Sequence, residues 1–334
     1  MAKWYTDRGF QSDIVLSTRV RLARNIKDIP FPCKMGEEDA RKVIADVEGA
    51  LSRMNMEFEK KEILALNPIE REQLVEKRFI SPNFAKARIP SAVFITGDES
   101  ISLMVNEEDH IRLQAIFAGF EGQKAYELVS RMDTFLAESL NYAVHQKYGY
   151  LTSCLTNVGT GIRISFMMHL PAICKANMAE SLFSALGKLG VTVRGMFGEG
   201  SKASGYIFQV SNQMTLGVNE KEIADKMNDV INQLIAKERE LRAILMKREG
   251  VVLEDKVMRA LGILKSARLI STKEMLNLFS YVRFGISLGL IEDTEPSTLN
   301  TLMVETGPAH LGADNSEPKQ RDFERAKLVR EKLQ

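Results

Sequence analysis

Between residues 12 and 217, apolar and polar positions alternate in short runs, as they do in half-buried strands of an antiparallel sheet. These runs predict strands over 14–17, 92–96, 101–105, 161–170, 191–195 and 206–211. Between them the apolar spacing lengthens to that of amphipathic helices over 38–54, 68–76, 121–143 and 178–189, the last closed by Gly190 as a C-cap. After Gly217 the pattern is helical, over 220–248, 254–266, 271–288, 297–305 and 318–332, and the tract GADNSEPKQ (312–320) reads as a mobile loop. The chain is thus expected to be α+β. A first domain over 12–245 is an antiparallel sheet flanked by helices, and a second over 250–334 is all helical.

Charge sharpens this picture by exclusion. With 45 basic and 44 acidic residues there is no global field to draw nucleic acid or an anionic membrane, so any anion site must be local. The first residues, MAKWYTDRGFQSDIVL, lack the apolar core of a signal peptide, and no run approaches membrane-spanning length; a cytoplasmic protein is expected. Cys33, Cys154 and Cys174 are too few and too widely spaced for a disulfide scaffold and read as free thiols. His110, His145, His169 and His310 form no zinc motif, and the glycine-rich nucleotide fingerprints are missing, as are the HRD and DFG elements of eukaryotic-type protein kinases.

Candidate chemistry sits at strand ends. In LSTRVRLARN, Arg19 and Arg21 stand two apart, so an extended backbone turns both guanidinium groups to one side. Arg112, Arg163 and Arg194 occupy comparable places; together the five could grip a triphosphate bidentately, or simply be surface charge. Two glycine-bearing loops accompany them: NVGTG (157–161), and GMFGEGSKASG (195–205), which carries Glu199 and is either a lid or a plain hairpin. The acid run in MVNEEDHIRL admits two readings. Asn106 could cap a helix with Glu107, Glu108 and Asp109 in its first turn, or the carboxylates could face a cation.

Taken together, STRVRLARN, NEEDHIR, SCLTNVGTGIR and RGMFGEG followed by SNQMTLG resemble, in order and spacing, the motifs of the phosphagen (guanidino) kinases over residues 13–217. The likeness is nearest to the branch that phosphorylates arginine side chains within proteins. The chain starts almost directly at STRVR, without the helical N-terminal domain that helps small-substrate members enclose free arginine or creatine. Near its end, RDFERA (Arg321, Asp322, Phe323, Glu324, Arg325, Ala326) is similar to a phosphoarginine-binding motif of that branch, there used in allosteric regulation.

The resemblance implies transfer of the ATP γ-phosphoryl group, with Mg²⁺, to arginine in protein substrates. It implies Glu108 and Glu199 on the guanidinium, with Cys154 beside it. It implies ATP contacts from Ser17, Thr18, Arg19, Val20, Arg21, Arg112, Arg163, Ile164, Ser165, Phe166, Met167, Arg194, Gly195, Met196, Phe197, Gly198 and Glu199. It assigns no protein ligands to the metal. Two departures stand out: Leu155 replaces the usual proline after the cysteine, and Arg78 replaces an adenine-contacting histidine. A homodimer, a zinc-binding activator, delivery of marked proteins to a Clp-type protease and roles in stress response and quality control are further implications. Two other functions stay open: a kinase of a free small guanidino compound, and a non-catalytic phosphoarginine-binding adaptor.

Overall fold

The computed structural model describes residues 3–195, 204–312 and 317–334. Its strands are β1 (Val15–Arg24), β2 (Phe58–Glu62), β3 (Ala92–Thr96), β4 (Ile101–Val105), β5 (Ile111–Ala118), β6 (Val144–His145), β7 (Gly149–Tyr150), β8 (Ile162–His169), β9 (Val191–Gly195) and β10 (Ile207–Asn212). Its helices are α1 (Glu37–Leu51), α2 (Pro68–Glu76), α3 (Gly122–Ala137), α4 (Pro171–Lys175), α5 (Ala179–Lys188), α6 (Glu220–Ser266), α7 (Thr272–Ser287), α8 (Pro296–Glu305), α9 (Pro308–Leu311) and α10 (Pro318–Leu333). Eight strands form one antiparallel sheet in the order β2-β3-β4-β5-β1-β8-β10-β9, while β6 and β7 make a separate ribbon.

The predicted pattern fails where charge interrupts it. β1 extends well past residue 17, because its arginines alternate with buried Val20 and Leu22 and leave one apolar face intact. β2, with sequence FEKKE, is an edge strand, where charge deters pairing with other chains. β5 alternates over residues 111–115 and then runs apolar to Ala118, and the sheet's centre buries most of both faces.

NEEDH starts no helix. It is the hairpin connection between β4 and β5, with the Asn106 amide donating to His110 O at 3.0 Å and the Glu107 amide to Asp109 O at 3.1 Å. Asn106 takes a left-handed conformation (φ 64°), and its side-chain amide donates to Ala40 O and Pro90 O at 2.9 and 3.0 Å. The N-cap expectation fails because the apolar residues beyond the turn belong to a strand paired on both sides.

One face of the sheet is covered by helices. Val43 and Val47 of α1, Val129 and Met132 of α3, and Met227 and Ile231 of α6 close over Val20, Leu22, Ile164, Phe166 and Val210. α6 starts at a capping box formed by Asn219 and Glu222 and runs to Ser266, with Glu249 alone off helical geometry (φ −134°). The two helices expected over 220–248 and 254–266 thus meet at a kink at Glu249, where the break was expected, with the second beginning a few residues early. Beyond the kink, Val257, Ala260 and Leu264 join a second core with α7, α8 and α10. Residues 318–320, which fell in both the expected helix and the expected loop, begin α10, with Pro318 at a first-turn position where its missing N–H costs nothing; residues 313–316 lie outside the described residues.

A buried cation ties the sheet to two helices. Arg24 is paired with Asp133 of α3 at 2.7 Å and Glu220 of α6 at 2.9 Å, donates to Thr160 O at 2.7 Å, and lies 3.5 Å from the Tyr150 ring centroid. Removing one partner of such a network strands the others without solvent. Arg24→Met is expected to lower unfolding free energy by about 3 kcal/mol or more, measured by urea denaturation, because Asp133 and Glu220 remain.

Candidate active site

The sheet's other face is built by register. On β1, Ser17, Arg19 and Arg21 point one way; Arg19 stands opposite Ser165, Arg21 opposite both Arg163 and Gln114, and Ala23 opposite Arg112. One strand further, Gln209 of β10 lies opposite Met167 and also opposite Arg194 of β9. Five arginines from four strands thus share one face. Arg78 joins them from the loop after α2, with Nη1 3.3 Å from Ser17 Oγ.

The same alternation divides the expected ATP contacts. Thr18, Val20, Ile164 and Phe166 turn to the helix-covered face and are buried, Thr18 donating to Gly119 O at 2.6 Å. Their side chains brace the sheet, whereas Ser17, Arg19, Arg21, Arg163, Ser165, Met167 and Arg194 remain on the arginine face, and Gly195 ends β9. Met196, Phe197, Gly198 and Glu199 lie outside the described residues.

Burial, joined at Arg19 and Arg21 by repulsion between neighbours, makes three of these guanidinium groups less willing to stay charged, whereas Glu107 raises Arg112. Burial, with repulsion from Arg78, Arg112 and Arg163, lowers Arg19 to about 9. Burial and the neighbouring Arg19, Arg112 and Arg163 push Arg21 well down, and burial lowers Arg78 to about 10. The Arg21 Nε is buried without a hydrogen-bond partner among the described residues. A polyanion laid on this face would relieve both the repulsion and the desolvation.

The NEEDH turn supplies the acids, each in a different state. Glu107 accepts from Ser81 Oγ at 2.5 Å and is ion-paired with Arg112. Burial opposes its ionisation, but Arg112 and Ser81 hold its carboxyl below the ordinary glutamate range. Asp109 is buried, and its Oδ1 accepts from Asn25 Nδ2 at 2.6 Å and from the Ser153 amide at 2.7 Å. Glu108 is exposed and has no hydrogen bond or ion pair among the described residues. Desolvation, then Asp109 and Glu107, raise its carboxyl above the ordinary value, against the pull of Arg112 and Arg21.

Glu107, Glu108, Arg112 and Ser153 line one cleft of about 770 Å³, with Cys33 and Arg88 at its rim. Cys154 follows Ser153, so the Asp109 bond holds the cysteine loop against the acid turn; the thiol lies 3.0 Å from Thr156 Oγ1. The sequence presents Asp109 as a first-turn or cation-facing acid that supports the local geometry, but nothing in it marks the tie to Ser153. Leu155 is 87% exposed. The glycines of NVGTG approach protein rather than ligand: a Cβ on Gly159 (φ 111°) would stand 2.3 Å from Thr215 O, and one on Gly161 (φ 65°) 2.6 Å from Ala23 O.

RDFERA lies on α10. Arg325 is buried, donating to Ile270 O at 2.9 Å and Thr306 O at 3.2 Å and pairing with Asp322; Ala326 packs in the second core, and Phe323 is exposed. Gln320 donates to Glu324 at 2.9 Å. The charge of Arg325 is thus already balanced within the motif, by Asp322.

A sheet of this topology with a strip of arginines facing an acid-lined cleft belongs to the guanidino-phosphotransferase class. A lombricine kinase structure superposes with TM-score 0.64 at 25% identity, over 70% of this chain and 68% of its own. The substrate-free duplicated taurocyamine kinase from Schistosoma mansoni superposes with TM-score 0.61 at 21% identity, over 83% of this chain and 42% of its own. The chain belongs to the ATP:guanido phosphotransferase family: the model of that family's C-terminal catalytic domain matches residues 40–241. The model of the protein-arginine kinase McsB C-terminal domain matches residues 250–334. Proteins named protein-arginine kinase are 43% identical in Bacillus pumilus and 44% in Geobacillus stearothermophilus, each over the whole of this chain and 93% and 94% of the relative.

Asp109→Ala should free the cysteine loop. Hydrogen exchange at residues 151–156 is expected to quicken by about tenfold or more, the loss of one to two buried hydrogen bonds, while β8 keeps its protection.

Proposed function

We propose that the chain transfers the γ-phosphoryl group of ATP to arginine side chains of proteins. The observation that carries this reading is the arginine face meeting, at one end, a carboxylate that no protein group occupies among the described residues. The triphosphate lies along Arg19, Arg21, Arg163 and Arg194, and the substrate guanidinium meets Glu108, with Glu199 as its second carboxylate and Cys154 alongside. The site lies within a catalytic domain over 12–245, followed by a helical domain over 250–334. Both a free guanidino compound and a protein arginine offer the same reacting group; relatives named for protein arginine favour the second.

The chemistry constrains the acids. A guanidinium has a pKa above about 12 and a glutamate one near 4.3, a gap of about 8 units or about 11 kcal/mol for full prior deprotonation. Glu108 therefore aligns the nucleophilic nitrogen and accepts its proton only as the N–P bond forms. The guanidinium groups of the sheet offset charge on the phosphates as the bond to the leaving ADP oxygen breaks. Mg²⁺ would come as a passenger of the nucleotide, held chiefly by phosphate oxygens and water, and would offset charge on the phosphates.

Among the described residues no helix is long and apolar enough to cross a membrane. A cytoplasmic location, a homodimer, phosphoarginine binding at Arg321, Asp322 and Arg325, allosteric control, a zinc-binding activator and hand-over to a Clp-type protease under stress accompany this reading on the family resemblance.

Incubation with γ-labelled ATP and an arginine-containing protein should yield acid-labile phosphoarginine. Glu108→Ala and Glu199→Ala should each lower transfer by 100-fold or more, on the order expected for groups that orient and deprotonate; normal transfer in either variant removes that carboxylate from the mechanism. The raised carboxyl of Glu108 has a pH consequence. It is ionised only above its own pKa, so the acid limb of kcat/KM should lie above the ordinary glutamate value, activity rising with pH. Asp109→Asn, which removes a neighbouring negative charge while leaving an acceptor oxygen, should move that limb toward acid.

A further inference from the structure

Trp4 is the single tryptophan of the chain and stands apart from every motif considered above. It is 3% exposed, its indole N–H donates to Lys77 O at 3.0 Å, and the Arg78 guanidinium lies 4.4 Å from its ring centroid. The segment that carries it is firmly anchored. Glu99 accepts from Lys3 Nζ at 2.9 Å, Tyr5 OH at 3.1 Å and Lys77 Nζ at 3.3 Å, and Thr301 of α8 donates to Tyr5 O at 3.0 Å. Trp4 also packs with Ile116 and Val304.

Arg78 is held from the other side as well. Its backbone is left-handed (φ 65°), a conformation that costs a non-glycine residue about 1 kcal/mol or more and persists only when its surroundings impose it. Gln114, on the arginine face, donates to its carbonyl at 2.7 Å, and Nη1 reaches Ser17 Oγ. Arg112 shows the alternative: its charge is met by Glu107. A carboxylate neutralises the guanidinium it fixes. An indole face fixes it without adding negative charge, so the cation stays available to a ligand.

Position along β1 says which part of a nucleotide Arg78 meets. Ser17 and Ala23, the latter opposite Arg112 and so beside the acid turn, are six residues apart, about 20 Å in a strand. With the reacting phosphoryl group beside Glu108, the opposite end of the nucleotide is its base. We propose that Trp4 is a positioning residue for ATP, holding Arg78 flat so that the guanidinium is sandwiched between the indole and the adenine. This inference rests on reading the arginine face as the ATP site.

Because Trp4 is the only tryptophan, intrinsic emission reports on this contact without labelling. Titration of the whole chain with MgADP should change the emission saturably, whereas inorganic tripolyphosphate, which has no base, should not. Trp4→Leu should raise the KM for ATP about tenfold with kcat within about twofold, the size expected for one desolvated cation–π contact, and Trp4→Phe should restore part of the loss. Arg78→Met should raise KM similarly and add little to Trp4→Leu. Should the leucine variant fail to fold, the emission of the unaltered chain and the Arg78→Met kinetics still decide. An equal emission change with tripolyphosphate, or ADP binding by calorimetry with unaltered emission and unaltered KM in the folded variants, overturns the proposal. No ADP binding to the unaltered chain overturns the ATP-site reading beneath it.

Discussion

Everything at this site follows from forcing like charges together on one side of a sheet. Arg19, Arg21 and Arg163 cannot move apart, because the pleat that turns them outward is fixed by what their neighbours do on the reverse side. Val20, Ile164 and Phe166 are locked into the helical core, and the repulsion between the guanidinium groups is balanced against apolar burial a few ångströms away. The result is a surface prepared for anions before any arrive, with little left to reorganise when they do.

The second half of the molecule reaches this surface through short, specific links. Glu76, at the end of α2, accepts from the amides of Ala309 and His310 at 2.7 and 3.1 Å, so it caps the first turn of α9 with a charge of favourable sign. Two residues later the chain delivers Arg78 to the arginine face. On the other flank, Arg325 fixes the carbonyl at the end of α8, and α8 presents Val304 to Trp4. The helical region and the sheet therefore meet at the residues bordering the Arg78 end of the arginine face.

Much of this was legible in the chain and some was not, for identifiable reasons. Arg19 and Arg21 announced their shared side because a strand's period is two. β3 and β4, short apolar runs, and β9 kept the predicted limits, being bounded by turn residues. β5 escaped notice because the acids before it read as the first turn of a helix, even though residues 111–115 alternate, and with it went the chance to see NEEDH as a turn. The pairing of Glu107 with Arg112, and of Asp109 with Ser153, depends on folding partners that no local pattern encodes. Nothing local marks Arg325 as buried either: its partners are carbonyls just before α7 and at the end of α8.

The five-residue turn at NEEDH carries a constraint on length that its composition hides. Adding or removing one residue between Val105 and Ile111 would not merely disturb a loop. It would shift β5 by one step, exchanging Arg112 on the arginine face for Ile111 (one residue added) or Leu113 (one removed) and driving the guanidinium into the core, since a strand's two faces swap with every single-residue slip. Point substitutions here can be graded in their damage, but a codon gained or lost has only one outcome. Lineages that drift freely in the sequence of this turn should still agree on the count.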